Sequence, residues 1–145
     1  MKMLNQVKSD LCQPQRQRKF FPVRHLRRFW PRRTRPCRSW QISKAAVSEA
    51  VTNCIVHAYP DTVGPITMTA VLYEGGNVRI TISDKGVGIP DVAKAMEPMY
   101  TTGNPDERAG PGVFAVMQSF MDRVHVSSAP GRGTRVTMSR HLDSR

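Results

Sequence analysis

Between Val47 and Ala58 the apolar residues Val47, Ala50, Val51, Cys54, Ile55 and Ala58 recur at i, i+3, i+4, i+7, i+8 and i+11. That spacing is one face of an α-helix, and a helix with one apolar face needs a partner layer to bury it. The following segments supply that layer. Ile66, Met68, Ala70 and Leu72 alternate with Thr67, Thr69, Val71 and Tyr73, as on a strand with one buried face. Glu74-Gly75-Gly76-Asn77 reads as a hairpin turn, and Val78, Ile80 and Ile82 form the inner face of the next strand, which runs into Asp84.

Beyond Asp91 a short helix is expected, then a long irregular stretch from Met99 to Pro111. Val113, Val116, Met117, Phe120 and Met121 give a second helical stripe. Val124 and Val126, a turn at Pro130-Gly131-Arg132-Gly133, then Val136 and Met138 make a closing hairpin. Antiparallel strands with helices on one face predict an α+β fold: a two-layer α/β sandwich with a mostly antiparallel sheet.

The charge is unevenly divided. Residues 1–43 hold 12 Lys/Arg and one Asp, whereas residues 44–145 hold 10 Lys/Arg and 10 Asp/Glu. The chain is therefore read as a basic segment, 1–43, followed by a neutral domain, 44–145. Pro14, Pro22, Pro31 and Pro36 would interrupt any helix in the first segment. No apolar run approaches the roughly 20 residues of a membrane span. The N-terminus lacks the apolar core of a secretory signal. The three cysteines (Cys12, Cys37 and Cys54) form no C-x-x-C pair, so neither a disulfide framework nor a zinc site is indicated. A reducing cytoplasm is the expected location, with no membrane partner.

Three segments carry candidate chemistry. Glu49, Asn53 and His57 are spaced by four, a polar row beside the apolar stripe. A carboxylate and an amide oxygen on one row suit a hard cation such as Mg²⁺ and a reacting hydroxyl, although a solvated helix face has the same pattern. Asp84-Lys85-Gly86-Val87-Gly88 places an acid where a buried strand ends. A buried ionised Asp needs hydrogen-bond donors, and the exocyclic amine of adenine is one; a turn capped by its own Asp side chain reads the same way. Arg108-Ala109-Gly110-Pro111-Gly112 opens a helix, where backbone N–H groups and the helix dipole favour phosphate. Each segment alone is weak; their order and spacing together are specific.

With Gly133-Thr134 on the last hairpin, this ordered set resembles the nucleotide-binding boxes of the GHKL ATPase superfamily. Within it, Val47-Ser48-Glu49-Ala50-Val51-Thr52-Asn53, Asp84 with Gly86-Val87-Gly88-Ile89-Pro90-Asp91, Thr101-Thr102, Glu107-Arg108 and Phe120-Met121-Asp122 resemble the anti-sigma F factors, sporulation serine kinases. The resemblance covers about 100 residues, everything after Gln41.

That resemblance implies ATP and Mg²⁺ as cofactors. Glu49 would be the general base toward a serine hydroxyl, Asn53 the Mg²⁺ ligand, and Asp84 with Gly86 and Gly88 the adenine site. Thr101, Thr102, Gly110 and Gly112 would belong to the ATP lid, Arg108 would touch the γ-phosphate, and Thr134 would complete the adenine pocket. It also implies a homodimer that withholds sigma factor F from RNA polymerase and phosphorylates the anti-anti-sigma factor on serine. The alternative is a nucleotide-dependent binding module of the same fold without kinase activity. A histidine-kinase catalytic domain would need an upstream phospho-acceptor hairpin, and His25 lies in Arg/Pro-rich sequence instead. Nucleic acid is not an expected partner.

The chain departs from the family pattern at Pro111, where Met is usual, and at Ala58, where Gly is frequent. The family's N-terminal strand and first helix are not recognisable in residues 1–43. Disorder accounts for that, and so does a displaced reading frame. Codons built from the last base of one residue and the first two of the next permit Leu-Ala-Asp-Ile-Lys across Ser39 to Lys44, the family's approach to this helix.

Overall fold

The computed structural model describes residues 2–12, 38–97 and 114–142. Strand β1 (Met3–Cys12) is followed by helix α1 (Arg38–Asn53), which ends in a π-helical turn, Cys54–Ala58. Strands β2 (Pro65–Tyr73) and β3 (Asn77–Asp84) form a hairpin. Two short helices follow, α2 (Val92–Ala95) and α3 (Ala115–Phe120), then the hairpin β4 (Arg123–Ser128) and β5 (Thr134–His141).

The five strands make one sheet in the order β1-β2-β3-β5-β4, and every neighbouring pair is antiparallel. Alternation decides which face is covered. Ile66, Met68, Ala70 and Leu72 on β2, Val78, Ile80 and Ile82 on β3, and Val136 and Met138 on β5 are all buried. Ala46, Val47, Ala50, Val51 and Cys54 of α1 and its π turn meet them, and Phe114 and Met117, at the start of α3 and within it, join the same core. Helix α1 packs against both α3 and the middle strand β3. Ile80 and Ile82 are wholly buried in that layer. Truncating either to Ala would cost about 2–5 kcal/mol by the usual cavity penalty. The two-layer α+β sandwich expected from the sequence is the fold observed.

The N-terminal part differs from expectation. Met3–Cys12 is an edge strand, paired with β2 from Met3↔Tyr73 to Cys12↔Pro65 with a bulge between Met3 and Asn5. A strand is therefore present near the N-terminus. It escaped notice because an edge ladder is made by backbone groups and asks for no apolar alternation. Helix α1 also begins at Arg38, six residues ahead of the expected boundary at Lys44. No element boundary falls between residues 43 and 44. Residues 13–37, where the family's first helix is not recognisable in the sequence, lie outside the described residues, and so does the expected stretch from Met99 to Pro111.

Of the second helical stripe, Met117 and Met121 are buried and Phe120 is partly buried against them, while Phe114, which the stripe did not include, is buried at the helix start. Short helix α2 is capped by Asp91, whose Oδ1 accepts the Lys94 N–H at 3.0 Å.

Candidate nucleotide-binding site

The site forms where α1 ends above the end of β3. Asp84 is the last residue of β3 and only 7% exposed. Its Oδ1 accepts two backbone N–H groups, from Gly86 at 2.9 Å and from Thr134 at 3.1 Å. The first bond is the local Asx turn that the D-x-G pattern favours. The second comes from the start of β5 and depends on the sheet order.

The loop after Asp84 is pinned on both sides. Val87 N–H donates to the Ala58 carbonyl at 3.0 Å, and Gly131 N–H donates to the Val87 carbonyl at 2.8 Å. Gly88 holds φ +74°, and a Cβ there would come within 2.0 Å of the Ala129 carbonyl oxygen. A Cβ on Gly86 would meet the Ala58 carbonyl oxygen at 2.1 Å. These glycines therefore let the loop approach other segments of the chain's own backbone.

Tyr59 secures the loop from below. Its hydroxyl donates to the Pro65 carbonyl at 2.7 Å and accepts the Lys85 N–H at 2.8 Å. Burial pushes its pKa up, opposed by the Lys85 N–H and assisted by the Asp84 charge. On the far side, Ser128 Oγ accepts the Ile89 N–H at 2.8 Å and donates to the Gly133 carbonyl at 2.8 Å. It also lies 2.8 Å from Thr134 Oγ1. Ser128 has one proton, already given to Gly133, so Thr134 is the donor in that pair.

A cleft lies between these elements. Ala50, Asn53, Cys54, His57 and Ala58 line it from the helix side, and Asp84, Gly88, Ile89, Thr134 and Val136 from the sheet side. Phe114 lines it as well. The lining is apolar except for a few convergent polar groups, the usual make-up of a small-molecule site. Cys54 is buried against it, and burial first, then the charge of nearby Asp84, pushes the thiol well above its ordinary range.

Asn53, Asp84, Gly88 and Thr134, all expected at a nucleotide site, thus share one cavity. Gly86 is not among its lining residues and packs against Ala58 instead. Glu49 sits half-buried one helical turn before Asn53 and does not line the cavity either. His57 does, because the π turn carries it to the cavity wall. Arg108, Thr101, Thr102, Gly110 and Gly112 lie outside the described residues. Sequence reading missed Tyr59, Ser128 and the cavity role of Cys54. Ser128 was findable, since it continues the inward alternation of Val124 and Val126.

Among the described residues, no group of three or more His, Cys, Asp and Glu side chains is placed to hold a metal. A Mg²⁺ ion at Asn53 would therefore need phosphate oxygens and water for its other ligands, which is how that ion commonly binds. No helix among the described residues is long and apolar enough to cross a membrane.

The family model of the histidine kinase-like ATPase domain matches residues 16–140. Among solved structures, the chain is similar to the histidine kinase domain of the Erythrobacter litoralis EL346 blue-light activated histidine kinase. The TM-score is 0.52 at 27% identity, over 72% of this chain and 45% of that one, so the chain spans less than half of that protein's length. Fold and cavity together define a histidine kinase-like ATPase domain, the nucleotide-binding class to which this chain belongs.

The relatives narrow the class. The chain is 50% identical over 101 residues to the anti-sigma F factor of Thermoanaerobacter sp. (strain X514), covering 70% of this chain and 69% of that protein. It is 52% identical over 99 residues to the anti-sigma F factor of Caldanaerobacter subterraneus subsp. tengcongensis, covering 68% of each. The chain belongs to the anti-sigma F factor family.

Proposed function

We propose that the cavity binds the adenine of ATP and that the protein is a serine kinase acting in the cytoplasm on an anti-anti-sigma factor. In the same reading it binds sigma factor F as a homodimer and keeps it from RNA polymerase. One observation carries the nucleotide part. A buried strand-end carboxylate has one oxygen committed to two backbone N–H groups and lines a mostly apolar cavity with Asn53, His57 and Thr134. A carboxylate so placed accepts an amine proton and disfavours a carbonyl oxygen, so it selects adenine over guanine.

In this reading Asn53 holds Mg²⁺ on the phosphate side of the cavity. Thr134 completes the adenine pocket, and Gly86 and Gly88 shape the loop against it. The family resemblance adds the lid: Thr101, Thr102, Gly110 and Gly112 close over the phosphates, and Arg108 neutralises charge on the γ-phosphate. Transfer to a serine hydroxyl gains chiefly from positioning and charge neutralisation. Glu49, on the turn of α1 before Asn53, takes the hydroxyl proton as general base.

The test is transfer from labelled ATP with Mg²⁺ to an anti-anti-sigma protein, comparing the parent with Glu49→Gln. The parent labels serine. The variant still binds ATP and loses transfer by about 10²–10⁴-fold, the usual contribution of a general base. Equal labelling by both removes Glu49 from that role. Tight nucleotide binding with no labelling by the parent selects the binding-module alternative. Retention of sigma factor F on the immobilised protein tests the partner part of the reading.

A further inference from the structure

Helices α1, α2 and α3 all bury their apolar residues on one side of the sheet. Among the described residues, the opposite face is left without a covering layer. Strand register arranges its outward residues in rows. Ser83, Arg135 and Ser127 lie side by side across β3, β5 and β4, and Arg79, Ser139 and Arg123 do so four residues further along β5. At the end of the first row, Lys85 and Arg132 join Ser83, Arg135 and Ser127 in lining a groove. Asp84 and Thr134 line this groove and the candidate nucleotide cavity alike, so the two are back to back. Arg79, Lys85, Arg123, Arg132 and Arg135 are all exposed. No outward position of β2, β3, β4 or β5 is Asp or Glu. Asp10 of β1 falls in the row of Arg135 but three strands away, about 14 Å. Asp122, next to Arg123, has its carboxylate on the His141 N–H. Like charges gathered without counter-charge repel one another in the folded state, and a partner of opposite sign relieves that repulsion.

We propose that this open face is a docking surface for an acidic segment of a protein partner, with carboxylates seated in the groove between Lys85, Arg132 and Arg135. An Arg fork pairs with a carboxylate through two parallel N–H bonds, and the Ser83 and Ser127 hydroxyls on either side of Arg135 offer further donors. The cations extend about 13 Å along the strands and about 10 Å across them, more than one small anion covers. A second copy of this face is a poor occupant, because a two-fold contact sets like charge against like. The chain's own basic segment, with 12 Lys/Arg and one Asp in residues 1–43, is repelled for the same reason. Single-stranded nucleic acid binds where aromatic rings are free to stack on bases. The one Phe, Tyr or Trp at the outward positions of β2 to β5 is Tyr73, and the Arg79 guanidinium already lies over its ring, 5.4 Å from the centroid.

The experiment titrates the full-length, isotope-labelled protein with a deca-glutamate peptide and follows backbone amide shifts. A site-resolved readout separates this face from the basic N-terminal segment, which also attracts the peptide. The amides of Ser83, Lys85, Ser127 and Arg135 are expected to shift together and saturate, with an affinity that falls as salt is raised. Arg132→Glu combined with Arg135→Glu weakens binding read at Ser83 and Ser127 by about tenfold or more, since carboxylates then meet carboxylates. Lys94→Glu on α2, which removes a cation on the helix side, changes it by less than about twofold. The amide spectrum of each variant reports on its fold in the same sample.

Shifts confined to residues outside the groove overturn the proposal, as does equal weakening by Lys94→Glu and the double substitution. Two further titrations name the other occupants. Inorganic phosphate that saturates the same amides as tightly as the peptide reduces the groove to a small-anion site and overturns docking of an acidic segment. A single-stranded thymidine decamer that saturates them more tightly than the peptide makes the face a nucleic-acid platform and overturns it equally. None of these outcomes bears on ATP binding in the cavity, which is measured separately.

Discussion

Asp84 and Thr134, fifty residues apart in sequence, are joined by a hydrogen bond of 3.1 Å from the Thr134 backbone N–H to Asp84 Oδ1. The bond ties the end of β3 to the start of β5 and fixes the acid at the cavity. Asp84→Asn keeps an oxygen that accepts both backbone donors but replaces the other oxygen by an NH₂ group. The expected outcome is a loss of ATP affinity of at least about tenfold with folding stability changed by no more than about 1 kcal/mol. Titration calorimetry and urea unfolding of the same samples check both parts.

Gly88 and Gly131 separate two costs. Both have positive φ, +74° and +72°. A Cβ on Gly131 would meet nothing within 4 Å, whereas one on Gly88 would strike the Ala129 backbone. Gly131→Ala should lose only about 1 kcal/mol, the strain of the left-handed conformation. Gly88→Ala should lose several kcal/mol, because backbone has to move. Urea midpoints for the two variants measure the difference; equal costs would show that the loop yields without resistance.

Tyr59 is a test of how the loop is held. Tyr59→Phe keeps the ring and removes a hydroxyl that serves Pro65 and Lys85 together. Leaving a partly buried N–H and carbonyl without that partner should cost about 1–3 kcal/mol. Amide exchange at Lys85 should speed up more than exchange in the middle of β3. Uniform acceleration would mean that the bridge is not local in its effect.

Cys54 also predicts how stability falls in alkali. In the unfolded chain a thiol ionises near pH 8.5. In the folded protein burial and Asp84 hold it protonated well beyond that. Above about pH 8.5 the unfolded state therefore binds fewer protons than the folded state, and stability falls as pH rises, by up to about 1.4 kcal/mol per unit for this one group. Below that pH its contribution is constant. Cys54→Ala should flatten the decline in urea midpoint between pH 8.5 and 10 and leave the pH 6–8 range unaltered. A parallel slope in parent and variant would contradict this assignment.

Ser43 is wholly buried in α1, and its hydroxyl has no hydrogen-bond partner among the described residues. An apolar residue suits that position better. The displaced-frame reading supplies one, since the last base of the Ile42 codon and the first two of Ser43 permit isoleucine. Two measurements follow. Ser43→Ala should raise stability by about 1 kcal/mol through removal of an unsatisfied hydroxyl. The nucleotide sequence of the gene should show a one-base displacement upstream of the Lys44 codon; an uninterrupted frame leaves the basic segment as a genuine part of the protein.

The sequence alone determined the layers and their order. Period-3.6 stripes and period-2 alternation state which side of each element must leave water, and the apolar face of Val47–Ala58 needed the apolar faces of the hairpins and of the second helical stripe to cover it. Asp84 was legible for the same reason, since an acid ending a buried alternation demands donors. The sequence did not carry which donors those are. Thr134 reaches Asp84 only because β5 lies next to β3, and Ser128 reaches Ile89 only because β4 lies outside β5. Sheet order is set by the packing of all strands at once, and no local pattern encodes it. The π turn that brings Cys54 and His57 to the cavity, and the backbone ladder that recruits Met3–Cys12 to the sheet edge, are decided likewise by long-range contacts. Residues that act alone announce themselves in sequence; residues that act through a neighbour's backbone wait for the tertiary structure.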